Sequence, residues 1–327
     1  MKNIIFLLTL FVATATLQAE SDWRWSLTLG TGVIDYEEDV AYTQDGVLSG
    51  DTFTYDDTYN PGIYGIGLTN GTHSLSYKIT SAGSSEYNLK RTGGEPYSVP
   101  VTKTQLERDY KETTISYQYK LSGSWSLGIA YNDKEHEYNT SGFQTYPYNI
   151  SETLLEAGET ADYIRTRNIN TSSSQDGLAL YATWVKQMSD VWYFSAKLGL
   201  SETSLDSQWT EMYTFSGLPA YANNYYTTNF GTVNGAGYGY KGSDDGDSTT
   251  AIVGFSLVRI FPSAPNHQIL VNYDTRSDDL AGDTVWQNIP GTGYFAGDDI
   301  DITVEGGQGS QIEETNWKLT AEWKYTF

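Results

Sequence analysis

The last eleven residues constrain the fold more than any other part of the chain. Their sequence is WKLTAEWKYTF, in which the odd positions from Trp317 to Phe327 are apolar or aromatic and the even positions are mostly polar or charged. Side chains that alternate with period two lie on opposite faces of a β-strand. The chain therefore ends in a strand with one apolar face and one polar face.

Aromatic side chains dominate the apolar face of this strand, as in the girdles at the two edges of a transmembrane β-barrel. The ending resembles the closing strand of Gram-negative outer-membrane β-barrel proteins, in which a terminal aromatic residue is the family's assembly signal. The resemblance implies that Phe327 is read by the outer-membrane assembly machinery, and it does not identify a subfamily. The predicted girdle residues are Trp23, Trp25, Trp192, Trp317, Trp323, Tyr325 and Phe327.

The N-terminus is typical of an exported protein. Lys2 precedes the apolar run 4–12, and small residues follow, as in a secretory signal peptide. The run is too short to span a bilayer as a helix. Cleavage is expected after Ala19, with Ala15 as an alternative site. We expect a signal peptide over 1–19, an outer-membrane β-barrel over 20–327 and a location in the bacterial outer membrane.

Alternating segments recur along the whole chain. Examples are Trp23 to Val33, Leu75 to Ile79, Leu127 to Tyr131 and Trp192 to Leu200. About ten such segments predict an all-β protein made of a single transmembrane antiparallel up-and-down β-barrel, with eight or twelve strands as alternatives. A soluble all-β fold is a further alternative.

The connections between these segments alternate in length. Short ones are predicted at 70–72, 122–124, 187–190 and 262–266, and long ones near 37–58, 87–106, 138–172, 203–247 and 277–312. Short periplasmic turns and long extracellular loops are typical of outer-membrane barrels. The first strand must pair with the last, because an unpaired backbone edge in hydrocarbon costs several kcal/mol.

Charge restricts the partners. The chain carries 41 acidic and 19 basic residues, which excludes nucleic acid because phosphate binding needs a basic surface. The acids concentrate in the predicted loops, whereas the inward face of the predicted strands is closer to basic. The predicted lumen-lining residues are Arg24, Lys78, Lys120, Lys197, Lys318, Glu322 and Lys324. Because the predicted loops are acidic and the inward face of the strands is closer to basic, the sequence does not predict whether the channel prefers cations or anions.

Two acidic runs have the oxygen-rich composition that calcium prefers. They contain Asp244, Asp245, Asp247 and Asp298, Asp299, Asp301. Neither run has the spacing of an EF-hand loop, and solvated surface acids are the simpler interpretation. Calcium at the acidic loops is therefore an alternative, and no other cofactor is predicted. Since the chain has no cysteine, it has no cysteine-based metal site or cysteine nucleophile.

The leading functional hypothesis is a porin-like channel for small solutes or ions. We expect this channel to be narrow, because about ten strands enclose little free space. The alternative is a non-conducting surface barrel that works through its loops as an adhesin, receptor or membrane-stabilising scaffold, with the aromatic segment 203–247 as its binding surface. A third hypothesis is a rim hydrolase like the ten-stranded omptins. We interpret His136, flanked by acids near the predicted rim, as an incidental surface residue. The expected partners are outer-membrane lipid, lipopolysaccharide and small solutes, and the protein is expected to be a monomer.

Overall fold

The computed structural model is built almost wholly from antiparallel strands. It describes residues 23–44, 47–85, 88–92, 103–148, 161–216, 237–288 and 308–327. The strands are β1 (Arg24–Gln44), β2 (Val47–Tyr59), β3 (Gly62–Thr69), β4 (His73–Ser85), β5 (Asn88–Thr92), β6 (Lys103–Lys120), β7 (Trp125–Tyr148), β8 (Ala161–Gln187), β9 (Trp192–Ser216), β10 (Gly237–Ile260), β11 (His267–Asn288) and β12 (Gln308–Thr326). The expected signal peptide, 1–19, lies outside the described residues.

These strands form a closed barrel with ten strand positions. Two positions are each filled by two consecutive strands. β2 continues β3 beyond Pro61, and both pair with β1 in one register as far as Ala41. β5 continues β4, since it pairs with β2 as β4 pairs with β3. β12 closes the barrel by pairing with β1 from Ser26↔Thr326 to Gln44↔Gln308. The predicted ten-stranded up-and-down barrel is confirmed.

The predicted short connections join neighbouring strands in tight turns. In the turn between β3 and β4, the Asn70 Oδ1 atom accepts hydrogen bonds from the backbone N–H groups of Thr72 and His73 at 3.0 and 2.7 Å. Gly71 in this turn has a φ of 85°, which a residue with a Cβ atom adopts only under strain. The sequence could predict this turn because Asn-Gly supplies both requirements.

The strands continue through much of the sequence that we expected to be long loops. β7 has 24 residues and β8 has 27, whereas a membrane crossing needs only ~9–11. Parts of the expected loops 37–58, 138–172 and 203–247 therefore belong to strands. At 201–208, for example, polar residues occupy both faces, so the alternation of apolar and polar residues disappears although the strand continues. The residues that connect these strands at the end away from the short turns, such as 149–160 and 217–236, lie outside the described part of the chain.

The outer surface has a band of exposed apolar side chains, which we call the lipid-facing band. It includes Trp25, Leu180, Leu198 and Phe255, with exposed fractions of 57%, 61%, 63% and 44%. A soluble barrel would leave this band in water, whereas lipid covers it favourably. No helix among the described residues is long and apolar enough to cross a membrane.

Acidic side chains face outward directly above the lipid-facing band, on the side away from the short turns. They include Asp35, Asp133, Asp176 and Glu202. Burial raises the pKa of the Asp133 carboxyl, and the nearby Glu135 and Asp176 carboxylates raise it further. These carboxylates thus lie close enough to repel each other. Such a group of acids marks the part of the barrel that water covers.

Candidate functional site: the charged lumen

Polar and charged side chains fill the inside of the barrel at the level of the lipid-facing band. The first ion pair there joins Lys78 of β4 to Glu322 of β12, and we call it the midplane pair. The Lys78 Nζ atom donates to the two Glu322 carboxylate oxygens at 2.7 and 3.0 Å. Asn272 Nδ2 donates to the same carboxylate at 3.1 Å. The carboxylate is buried and accepts three hydrogen bonds from the Lys78 ammonium and the Asn272 amide, as a buried charge requires.

Glycine makes room for the midplane pair. β3 and β1 lie between β4 and β12 in the barrel. At Gly30 of β1, a Cβ atom would lie 2.9 Å from the Cγ atom of Glu322. The absence of a side chain at this position lets Glu322 extend across β1 towards Lys78.

A second ion pair crosses β10. The Lys197 Nζ atom of β9 lies 2.5 Å from the Oδ1 atom of Asp274 on β11. Gly254 of β10 is in register with both residues. A Cβ atom at Gly254 would lie 2.3 Å from Asp274 Oδ1 and 2.8 Å from Lys197 Cε. This pair, too, forms because the strand between its members carries a glycine.

A third ion pair spans the lumen at the outer edge of the lipid-facing band, and we call it the boundary pair. Lys318 of β12 donates to Glu112 of β6 and, at 2.8 Å, to the Tyr110 hydroxyl. Three strand positions, those of β1, β3 and β4, separate β6 from β12. The boundary pair therefore reaches across the inside of the barrel and not merely along its wall.

Glu112 lies just outside the lipid-facing band, since its chain neighbour Lys111 faces water and pairs with Glu135. Burial by itself would raise the pKa of the Glu112 carboxyl. The Lys318 ammonium attracts the carboxylate and donates to it, and Tyr110 also donates at 2.7 Å. Together these interactions lower the pKa to about 2, so Glu112 is ionised under all ordinary conditions.

A fourth ion pair lies against the β9–β11 wall at the same height. Arg276 Nη2 donates to Asp278 Oδ1 at 2.8 Å, and the Thr250 hydroxyl donates to the same oxygen at 2.5 Å. Arg276 also donates to the Thr203 hydroxyl on β9. Asp278 is 1% exposed, so its charge depends on these donors for stability.

Aromatic residues occupy the opposite wall. The ring of His136 lies 5.0 Å from the ring of Tyr36 and 5.2 Å from that of Tyr110. Our interpretation of His136 as an incidental surface residue is wrong, because its side chain is 1% exposed and faces the lumen. The acids beside it in sequence, Glu135 and Glu137, point to the outside. Neighbours in a strand face opposite sides, so sequence proximity to acids misled the interpretation.

The space left between the two walls is small. Between them lies a cavity in which the centre of a water molecule can occupy about 20 Å³. One water needs ~10–15 Å³ on this measure, so the cavity holds about one. Its lining comes from six strands: Glu112, Asn132, Lys134, Gln175, Gly177, Thr203, Arg276, Asn316 and Lys318. The cavity is thus small and is lined mostly by polar and charged side chains.

The predicted lumen residues lie on the inward rows of their strands. Lys78, Lys197, Lys318 and Glu322 form the ion pairs described above, whereas Lys324 is half-buried beneath the midplane pair. Arg24 and Lys120 lie at the short-turn end and are exposed. Up to the height of the boundary pair, sequence reasoning missed five charged residues on the described inward rows, Glu112, Lys134, Asp274, Arg276 and Asp278. Continuing each period-two row to the edge of the expected long loops finds all of them except Asp278, which lies just inside the loop expected over 277–312.

The predicted girdle residues lie on the outer surface. Trp25, Trp323 and Tyr325 face outward near the short turns, and the rings of Trp323 and Tyr325 stack at 6.1 Å. Trp317 lies nearer the other edge of the lipid-facing band and stacks on Tyr273. Phe327 is 67% exposed. The two edges of the band thus carry aromatic side chains, as the girdle of a membrane barrel does.

The acidic runs predicted as calcium ligands are divided by the strand geometry. Asp244 is buried and accepts a hydrogen bond from Trp209 Nε1 at 3.1 Å, whereas Asp245 and Asp247 are exposed on the other face of β10. Asp298, Asp299 and Asp301 lie outside the described residues. Within the described part of the chain, no three His, Asp or Glu side chains are grouped to hold a metal ion. Calcium binding stays a prediction.

Comparison with solved structures agrees with the fold. The outer membrane protease OmpT from Escherichia coli matches with a TM-score of 0.56 and 12% identity, over 93% of this chain and 97% of that one. The translocator domain of the autotransporter NalP from Neisseria meningitidis has a TM-score of 0.39 and 10% identity, over 100% of this chain and 96% of that one. The outer membrane protein OprG from Pseudomonas aeruginosa has a TM-score of 0.35 and 11% identity, over 95% of this chain and 98% of that one. No protein-family model and no curated protein matches the chain. The chain has the fold of a Gram-negative outer-membrane β-barrel.

Proposed function

We propose that this protein is a narrow channel of the bacterial outer membrane for small solutes or ions, closed by its own side chains in the state described. The observation that carries the proposal is the boundary pair, which joins Lys318 and Glu112 across the lumen. A barrel that served only as a scaffold could fill its interior with apolar side chains. Here the interior holds the four ion pairs described above, each of which costs desolvation energy on burial.

Long charged side chains also suit a removable obstruction. Lys318 and Glu112 belong to strands on different sides of the barrel, so their side chains can separate while both strands keep their backbone hydrogen bonds. Water and ions could then replace the lost contact, because the surrounding groups are already polar. An interior of this kind is hydrophilic even when it is closed.

Conductance across planar lipid bilayers tests the proposal. We expect brief, small current steps from the wild type, and a severalfold higher open fraction from the double variant Glu112→Gln/Lys318→Met. The matched control is Lys111→Met/Glu135→Gln, which removes an ion pair that also includes a residue of β6 but lies on the outer surface. The control should behave like the wild type. Silence from the wild type and the double variant in repeated reconstitutions would exclude a channel.

The second candidate is a surface barrel that acts through the part that rises above the membrane. β7, β8 and β9 have 24, 27 and 25 residues, so a large section of wall stands beyond the lipid-facing band. We expect that removing residues 208–243, whose ends are in register, shortens the β9–β10 hairpin and leaves its lower part paired. If adhesion of cells that carry the protein is then lost, this section is a binding surface. Unchanged adhesion would remove this candidate.

A rim hydrolase is the third candidate, and the fold of the outer membrane protease OmpT is its main support. The ring of His136 packs against the rings of Tyr36 and Tyr110. We therefore expect His136→Phe to leave conduction and any other activity intact, because Phe preserves the ring packing. A hydrolytic activity that the wild type has and His136→Phe lacks would restore the enzyme hypothesis. Assays on a panel of peptides and esters provide the measurement.

The surroundings proposed for the protein follow from its outer surface. Outer-membrane lipid would cover the lipid-facing band, and lipopolysaccharide would surround the section above it. Contact between Phe327 and the assembly machinery remains a proposal. We propose a monomer, because β12 pairs with β1 along its whole length and so closes the barrel.

A further inference from the structure

We propose that the channel selects anions, an inference that rests on the proposed function. Among the described residues, the inward rows carry twice as many cations as carboxylates from the short-turn end up to the height of the boundary pair and its immediate neighbours. The cations are Arg24, Lys78, Lys120, Lys134, Lys197, Arg276, Lys318 and Lys324, and the carboxylates are Glu112, Asp274, Asp278 and Glu322. This part of the lumen is positive although the whole chain has a net charge of −22.

The pairing pattern shows where the excess charge lies. Each of the four carboxylates already has a basic partner: Glu322 has Lys78, Asp274 has Lys197, Glu112 has Lys318 and Asp278 has Arg276. Outside these four pairs the inward rows carry four more cations, Arg24, Lys120, Lys134 and Lys324, so positive charges outnumber negative ones there. Arg24 and Lys120 lie at the short-turn end of the lumen, and Lys324 lies below the midplane pair. An anion that entered would meet a net positive charge in this part of the lumen.

Two further carboxylates on the inward rows do not reverse the sign. Glu38 accepts a hydrogen bond from the Tyr36 hydroxyl at 2.6 Å, and Asp244 accepts one from Trp209. Both lie in the section that rises above the lipid-facing band. Even with these acids included, cations remain in excess among the described inward side chains.

The acids on the outer wall act less on a permeating ion than the lumen cations do. The screening length is ~8 Å at physiological ionic strength, and charges separated from the lumen by water and the barrel wall are screened or distant. Inside a narrow lumen the nearest fixed charges dominate, and rings of Lys or Arg produce anion preference in pores. The lumen wall therefore sets the selectivity.

Lys324 is the position at which the inference can be tested most directly. Its side chain is half-buried on the inward row of β12, one inward step towards the short turns from Glu322. Lys324→Glu changes the lumen charge by two units and leaves all four ion pairs in place. The matched control is Lys111→Glu, which makes the same charge change on the outer surface.

The experiment measures the zero-current potential in planar bilayers under a tenfold KCl gradient. Both substitutions are made in the wild type and in the Glu112→Gln/Lys318→Met background, which keeps the lumen charge unchanged. We expect a chloride-to-potassium permeability ratio above about 2, a fall to about 1 or below for Lys324→Glu, and no change for Lys111→Glu. Conduction with potassium preference, or an equal shift in both variants, would overturn the anion inference alone. Absence of conduction in every variant would overturn the proposed function itself.

Discussion

Single glycines decide which charged side chains can meet inside this barrel. Gly30 and Gly254 lie beneath ion pairs whose members belong to strands that are not adjacent. The sequence shows glycine on the inward rows, but period-two alternation does not say which side chain from a neighbouring strand will use the space. That information comes only from the register between strands.

The substitution Gly254→Ala tests this role. Its Cβ atom would overlap Asp274 Oδ1 and crowd Lys197 Cε, so the ion pair must separate or the strands must shift. We expect a loss of about 1–3 kcal/mol in the free energy of unfolding, the usual cost of overpacking. Urea unfolding of the refolded protein in detergent micelles measures it.

The matched control is Gly123→Ala in the turn between β6 and β7, where a Cβ atom meets nothing within 4 Å. This variant should lie within about 0.5 kcal/mol of the wild type. Equal stability of the Gly254→Ala and Gly123→Ala variants would contradict the packing argument.

Glu112 gives the barrel a defined dependence on acid. Because its pKa falls from an ordinary 4.5 to about 2 on folding, its ion pair contributes full stability above pH 4.5. The contribution decreases as the pH falls from 4.5 and is gone below about 2. We expect the difference in urea midpoint between the wild type and Glu112→Gln to be constant from pH 7 to 4.5 and to shrink towards pH 2.

Glu135→Gln serves as the control for this titration, because Glu135 forms an exposed pair with Lys111 on the outer surface. Exposed pairs contribute little, so its urea midpoint should follow that of the wild type at every pH. A wild-type advantage over Glu112→Gln that stays constant down to pH 2 would show that Glu112 is not paired in the folded protein.

At the scale of the strands, alternation predicted the membrane-crossing parts well and the outer parts poorly. The strands that contain Trp25, Leu127 and Leu198 are apolar on their outer face because lipid covers that face. Above the band, water covers the outside and polar groups fill the inside, so nothing in the sequence distinguishes strand from loop. The extended hairpins of β7 to β10 were therefore expected to be loops.

The last strand carries a prediction about assembly. The backbone N–H of Phe327 donates to the Trp25 carbonyl at 2.8 Å, whereas its ring is exposed and contacts Tyr325 edge-on at 4.8 Å. Phe327→Ala keeps the backbone bond, so the stability of refolded protein should change by less than about 1 kcal/mol. If the ring is an assembly signal, the amount of folded protein in the outer membrane should fall severalfold.

Two measurements separate these effects: urea unfolding of refolded protein, and the quantity of folded barrel in isolated outer membranes. The control is Phe255→Ala, which removes an exposed aromatic ring from the lipid-facing band away from the C-terminus. Unchanged quantities of Phe327→Ala in the outer membrane would show that the terminal ring is not read during assembly.

The molecule as a whole separates three environments with one alternating pattern. Among the described residues, the outside of the lower barrel is apolar, the outside above it is acidic, and the inside is polar with an excess of cations. The sequence predicted the barrel and half of the inward charges, including Lys78, Lys318 and Glu322. It could not predict the partners of those charges, because Glu112 and Lys318 are far apart in sequence and meet only when the barrel closes.

The separation of lipid from lumen is the central claim, and the absence of cysteine makes it directly measurable. Single-cysteine variants at Leu180 and Leu198 on the lipid-facing band, at Ser76 on an inward row and at Asp245 above the band would be labelled in lipid vesicles with a water-soluble maleimide. We predict rapid labelling at 245, slower labelling at 76, and protection at 180 and 198 until detergent is added. Rapid labelling at positions 180 and 198 in intact vesicles would contradict the account.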